Sequence, residues 1–107
     1  MKKLIYTLLI ILALTNNSFS AGSDSSDDSS NYTKAKNLIK AAKKYEKKGK
    51  IEKAQKKYAK AQTLLIKSNE KKPLQADTLN YLGFTTRKLG DYEKGEKFYL
   101  LGLQVEP

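Results

Sequence analysis

LNYLGFTTRKLGDYEKGEKFYLLG, residues 79–102, decides the fold. Leu79, Leu82, Gly83 and Thr86 share one face of a helix by their spacing, Gly90-Asp91 makes a turn, and Tyr92, Gly95, Phe98, Tyr99 and Gly102 carry the helical spacing into a returning helix. Pro73, ahead of this stretch, suits a helix start, where its missing N–H costs little. Gly83, Gly95 and Gly102 stand where alanine would favour the helix by roughly 1 kcal/mol each. Close approach of two helices offsets that cost; otherwise Gly95 and Gly102 merely weaken the helix.

The same arrangement is legible upstream. Leu38, Ala41, Ala42 and Tyr45 fall at helical spacing, as do Ala54, Tyr58, Ala61 and Leu65, and Lys48-Gly49-Lys50 between them supplies a glycine able to end a helix at positive φ. Two hairpins are expected, at residues 32–72 and 73–107. The turn glycines Gly49 and Gly90 are 41 residues apart, which requires the second helix of the first hairpin to run on toward Asn69.

Leu79, Leu82, Gly83, Gly90-Asp91-Tyr92, Gly95, Tyr99, Gly102 and Pro107 resemble the tetratricopeptide repeat, whose 34-residue pattern runs aromatic-x2-Leu-Gly-x2-Tyr, then Ala-x3-Phe, then Pro. Leu79 departs from its aromatic, Thr86 from its Tyr and Gly95 from its Ala, and the first hairpin follows the pattern less closely. The resemblance implies an all-α fold, helix-turn-helix hairpins stacked as a short right-handed solenoid. It also implies that the first helix of each pair lines a concave groove for peptides or partner proteins. On this chain that groove would be faced by Lys36, Ile39, Lys43, Lys47, Asp77, Asn80, Phe84, Arg87 and Lys88. Its Lys and Arg side chains would donate to carboxylates, Asn80 would bond a peptide backbone and Phe84 would offer an apolar contact. An acidic or C-terminal carboxylate segment is the implied guest.

Charge divides the chain. Lys and Arg number 21 against 11 Asp and Glu, for a net +10. Residues 34–72 hold fifteen Lys against Glu46, Glu52 and Glu70, whereas residues 76–107 hold four basic groups against five acids. The basicity therefore belongs to the first hairpin, and electrostatic binding of anionic envelope components through that hairpin is the alternative function. No nucleic-acid partner is expected, because no recognised motif or interleaved aromatic and arginine pattern accompanies the lysines. The chain has no Cys and no His, which removes thiolate chemistry and the commonest general base and metal ligand. Glu93 and Glu96 read as surface partners of Lys94 and Lys97, and Asp24, Asp27 and Asp28 lack calcium-loop spacing. Neither an enzyme nor a cofactor or metal is expected.

At the N-terminus, Lys2 and Lys3 precede an apolar run from Leu4 to Leu14 broken only by Thr7, and Ser18-Phe19-Ser20 puts small residues one and three places before a cut. This is the layout of a secretory signal (1–20) cleaved after Ser20, and a run this short falls below the about twenty residues of a membrane span. A periplasmic or secreted location follows, with no stable transmembrane span after cleavage. Residues 21–31, rich in Ser and Asp, read as a disordered linker. Together these readings describe an interaction module or scaffold of the bacterial cell envelope. Repeat hairpins bury their faces on neighbours, so two hairpins leave the last helix bare, either for self-association or for a repeat beyond Pro107, and truncation is the favoured reading. Residues 21–107 alone should therefore melt broadly or only as an oligomer in thermal circular dichroism. A sharp transition of a monomer at high temperature, independent of concentration, contradicts this.

Overall fold

The computed structural model describes residues 28–106. The expected signal (1–20), residues 21–27 of the expected linker, and Pro107 lie outside the described residues. Four helices follow one another: α1 (Asp28–Lys47), α2 (Ile51–Lys71), α3 (Ala76–Lys88) and α4 (Tyr92–Val105). The described chain is all-helical, α1 pairing with α2 and α3 with α4 as hairpins, and α2 carries α3. Among the described residues, no helix is long and apolar enough to cross a membrane.

The two hairpin turns are built alike. Gly49 (φ 76°) and Gly90 (φ 99°) adopt the left-handed backbone that side chains disfavour. The N–H of the following residue reaches back to a carbonyl five residues earlier, Lys50 to Tyr45 at 2.8 Å and Asp91 to Thr86 at 3.1 Å. Each glycine N–H bonds the carbonyl three residues back, completing a cap that satisfies the last carbonyls of the helix. Asp91 then caps α4, its side chain accepting from the Lys94 N–H at 3.1 Å.

Two boundaries differ from the sequence reading. Helix α1 begins at Asp28 and not at Tyr32, because Asn31 is buried and Tyr32 leans edge-on against Tyr81, so the chain is already held one turn earlier. Pro73 does not open α3, which starts at Ala76; it acts on Lys72, whose backbone leaves the helix at φ −127° and ψ 88°. Helix α2 does run on past Asn69.

The core is small-sided. Ala54, Tyr58, Ala61 and Leu65 of α2 are fully buried, as their spacing predicts, and so are Leu79 and Leu82 of α3. Thr78, Thr85 and Thr86 share the inner face of α3; Thr85 satisfies its hydroxyl on the Tyr81 carbonyl at 2.9 Å. On α1 the buried line is Ala35, Ile39 and Ala42, while Leu38, Ala41 and Tyr45 are only half-buried. The inner face of α1 is therefore turned from the expected one, and Tyr92 of α4 is 66% exposed.

Between α3 and α4 the glycines mark contact. A Cβ on Gly95 would lie 3.0 Å from the Gly83 carbonyl oxygen and 3.2 Å from the Arg87 nitrogen, both backbone atoms with little room to yield. A Cβ on Gly83 would strike the Tyr99 ring at 2.8 Å. At Gly102 the nearest atom, the Leu79 Cβ, stands at 3.4 Å, an ordinary contact. Alanine should therefore act with opposite sign at two glycines of one helix. Gly95→Ala should lower stability by about 1–3 kcal/mol through overpacking, while Gly102→Ala should be neutral or raise it by up to about 1 kcal/mol through helix propensity. Urea denaturation of the two variants reads the difference, and equal effects would remove close approach as the reason for Gly95.

Candidate functional site

Side chains of α1 and α3 meet along one surface of the molecule. Their shared surface starts at Tyr32 and Tyr81, whose ring centres are 5.8 Å apart at an interplanar angle of 71°, and the Lys36 ammonium stands 5.2 Å from the Tyr32 ring. Burial first, then the Asp77 carboxylate and Tyr81, push the Tyr32 hydroxyl pKa upward. Toward the other end, Phe84 is held between two cations, Lys43 at 4.9 Å and Lys88 at 5.6 Å from its ring centre. A cation over an aromatic face is attracted by the ring's quadrupole, so these lysines are positioned rather than loose.

Beneath Phe84 sits Tyr58 of α2, wholly buried, its ring edge-on to Phe84 at 5.9 Å. The Tyr58 hydroxyl donates to Glu46 Oε1 at 2.7 Å, and the Lys88 ammonium donates to both oxygens of the same carboxylate at 3.3 and 3.1 Å. Glu46 on α1, Tyr58 on α2 and Lys88 on α3 thus meet at one point. Burial taken alone raises the Glu46 pKa, but hydrogen bonds from Tyr58 and Lys88 and the charges of Lys88 and Lys43 outweigh it and hold the carboxyl below its ordinary value. Burial and the adjacent carboxylate push the Tyr58 hydroxyl well above its ordinary value. Two further bonds fix α3 on α2: Gln55 Nε2 to the Lys88 carbonyl and Gln62 Nε2 to Thr86 Oγ1, both 3.0 Å.

The nine residues expected on the groove divide accordingly. Lys43, Phe84 and Lys88 come together. Lys36 stands at the Tyr32 end, Asp77 acts on Tyr32, and Lys47 is exposed in the last turn of α1. Asn80 and Arg87 lie toward α4: Asn80 Oδ1 stands close to Gly102, and the Arg87 guanidinium lies 5.7 Å from the Tyr92 ring. Phe84, Arg87, Lys88, Tyr92 and Tyr99 line a cleft there.

Ile39 does not belong to the set. It is 2% exposed, one turn from both Ala35 and Ala42, and packs in the core. Lys88 is also not simply a donor awaiting a guest, since its charge is matched by Glu46. The sequence reading missed Tyr32, Tyr81 and Glu46 as members of this face. Glu46 carried a signal, being the one acid among the lysines of residues 34–51.

Among the described residues, no group of three or more acidic side chains is placed to hold a metal ion. The arrangement is one of aromatic rings, cations held beside them and a Glu46 carboxylate matched by Lys88, with Asp77 at the Tyr32 end. The chain matches no family model, no curated protein and no solved structure.

The Glu46 junction should be visible in acid. A depressed folded pKa means the contribution is fully present above the unfolded carboxylate value of about 4.3 and is lost as pH falls through the folded pKa. The stability gap between the native chain and Glu46→Gln should be constant from pH 7 to about 5 and close below about 4. Tyr58→Phe, which removes the buried donor, should cost about 1–2 kcal/mol at pH 7. A gap that stays open in acid would mean that Glu46 does not hold the junction as a carboxylate.

Proposed function

We propose that this chain is a protein-interaction module of the tetratricopeptide-repeat type, holding an acidic peptide or partner segment on the face shared by α1 and α3. In this reading the two hairpins are consecutive units of a short right-handed stack, and the face is its concave side. The reading rests on one observation above the others: Phe84, a half-buried ring, is flanked by the Lys43 and Lys88 ammonium groups on a surface lined by the first helices of both hairpins. An apolar anchor ringed by cations gives a guest both burial and charge complementarity. The shared turn geometry at Gly49 and Gly90 and the close approach at Gly83 and Gly95 support the repeat reading.

Export belongs to the same proposal. Residues 1–20 act as a cleaved signal, and the module works in the periplasm or outside the cell as a scaffold without catalytic function. Lys88, already matched by Glu46, serves to orient Phe84, leaving Lys43 and Arg87 as the donors to a guest carboxylate.

The test is fluorescence anisotropy with a labelled peptide rich in Asp and Glu carrying one aromatic residue and a free C-terminus, set against the same peptide with Lys in place of its acids. Saturable binding of the acidic peptide at about 0.15 M salt is expected. Phe84→Ala and Lys43→Glu should each weaken it about tenfold or more, and Lys60→Glu, away from this face, should not. Equal binding by Phe84→Ala would overturn the assignment. A steep salt dependence indifferent to peptide sequence would favour the lysine-rich hairpin as a general polyanion binder.

A further inference from the structure

Among the described residues, helix α4 presents an exposed stripe that the α1–α3 face does not use. At helical spacing, Tyr92, Glu93, Glu96, Leu100 and Leu103 fall along one side of it; Tyr92 is 66%, Leu100 53% and Leu103 58% exposed. Arg87 and Tyr99 join Tyr92, Glu93, Glu96 and Leu100 around a shallow depression at its N-terminal end. Lys94, Lys97 and Leu101 lie on the other flank by their spacing, so the stripe itself is apolar and acidic.

The first hairpin shows what this position is used for. Counted from the turn glycine, Glu96, Tyr99 and Leu103 occupy the places that Gln55, Tyr58 and Gln62 hold on α2. On α2 those three side chains carry the next helix, through Gln55 to Lys88, Tyr58 to Phe84 and Gln62 to Thr86. At the equivalent places on α4, Glu96 and Leu103 are exposed, while Tyr99 is half-buried with its ring against Gly83. Their composition has changed from amide to carboxylate and leucine, which suits a guest that brings positive charge and alkyl surface.

The chain carries such a surface. Tyr45 of α1 and Lys53, Lys56, Lys57 and Lys60 of α2 line a cleft on the first hairpin, with the Lys53 ammonium 5.8 Å from the Tyr45 ring. Lysine stems are apolar and only their ends carry charge, so the cleft has a greasy floor and a cationic rim. By their spacing these lysines lie on a different side of α2 from Gln55 and Gln62, so α3 leaves them open. The match with α4 is of both kinds: leucines for the Tyr45 ring and lysine stems, Glu93 and Glu96 for the ammonium groups.

We infer that the α4 stripe of one molecule docks in the Tyr45–lysine cleft of a second copy, joining molecules head to tail. The two surfaces differ and lie on one chain, so each contact leaves a cleft open at one end and a stripe at the other. The association does not close at two copies. It is salt-sensitive, because copies of a chain of net +10 repel one another overall and the contact of the α4 acids with the lysines of the first hairpin offsets that.

Sedimentation equilibrium of the full chain tests this across a hundredfold range of concentration, at about 0.02 M and about 0.5 M salt. The weight-average mass should climb with concentration past that of a dimer at low salt, and the association should weaken about tenfold or more at high salt. The double variant Glu93→Lys with Glu96→Lys and the double variant Lys56→Glu with Lys60→Glu should each stay monomeric alone. Mixed together they should co-assemble in alternation past a dimer, since the altered stripe of one matches the altered cleft of the other and the unaltered stripe of the second matches the unaltered cleft of the first. All four positions are exposed at the surface, and unchanged helical circular dichroism verifies that the variants fold. Phe84→Ala should associate like the native chain, which separates this result from the fate of the peptide-binding face. A monomer under every condition overturns the inference. So does a closed dimer that ignores Lys56→Glu with Lys60→Glu, since that would place α4 against α4.

Discussion

The hydrogen bond from the Tyr58 hydroxyl to Glu46 holds the molecule together in a way no apolar contact does. Tyr58 has its ring in the core, its edge against Phe84 and its hydroxyl on a carboxylate of α1, so one side chain of α2 touches the helices on both sides of it. A leucine there would fill space and leave Glu46 without its buried donor. The tyrosine lets a carboxylate sit at the edge of the core, and the carboxylate in turn draws Lys88 from α3. Register between the hairpins is thus set by groups with directional bonds, while the alanines around them permit close packing without specifying it.

The basic hairpin tolerates its own charge by other means. Fifteen lysines in residues 34–72 repel one another, and most are exposed, where water and salt screen them. Several are steadied by aromatic faces: Lys36 over Tyr32, Lys43 over Phe84, Lys53 over Tyr45. At these three places the ring quadrupole attracts the ammonium group and favours one position for it. The desolvation cost is modest because the ammonium ends stay in water while only the stems pack.

The helices, both turns, the inner faces of α2 and α3, and the close approach at Gly83 and Gly95 were legible in the sequence, because each rests on local spacing or on a glycine with no substitute; the close approach expected at Gly102 is an ordinary contact. The rotation of α1 was not. Its apolar residues Ala35, Leu38, Ile39, Ala41, Ala42 and Tyr45 fit two overlapping stripes, and tertiary contact with α2 chose the one centred on Ile39. That choice took Ile39 out of the groove and left Leu38 and Tyr45 on the flanks. Glu46 was hidden for a different reason: its partners lie 12 and 42 residues away, and one acid among lysines looks like surface charge until the fold brings Tyr58 and Lys88 to it. Spacing finds faces, but it does not find pairs across helices.

The face proposed to hold a peptide and the α4 stripe are separate surfaces that share a border. Arg87 and Tyr92, stacked at 5.7 Å, line both the cleft beside Phe84 and the depression at the start of α4. A guest carboxylate drawn to Arg87 would loosen its hold on the Tyr92 ring, and a second copy covering Tyr92 would pin that ring against Arg87. The two events then act on one pair of side chains with opposite demands. Linkage requires the effect to be mutual: whatever a guest at Phe84 does to stacking of copies, stacking does to the guest's affinity by the same factor. A basic module with an acidic end would in this way have its assembly and its binding set against each other, through two residues that belong to neither surface alone.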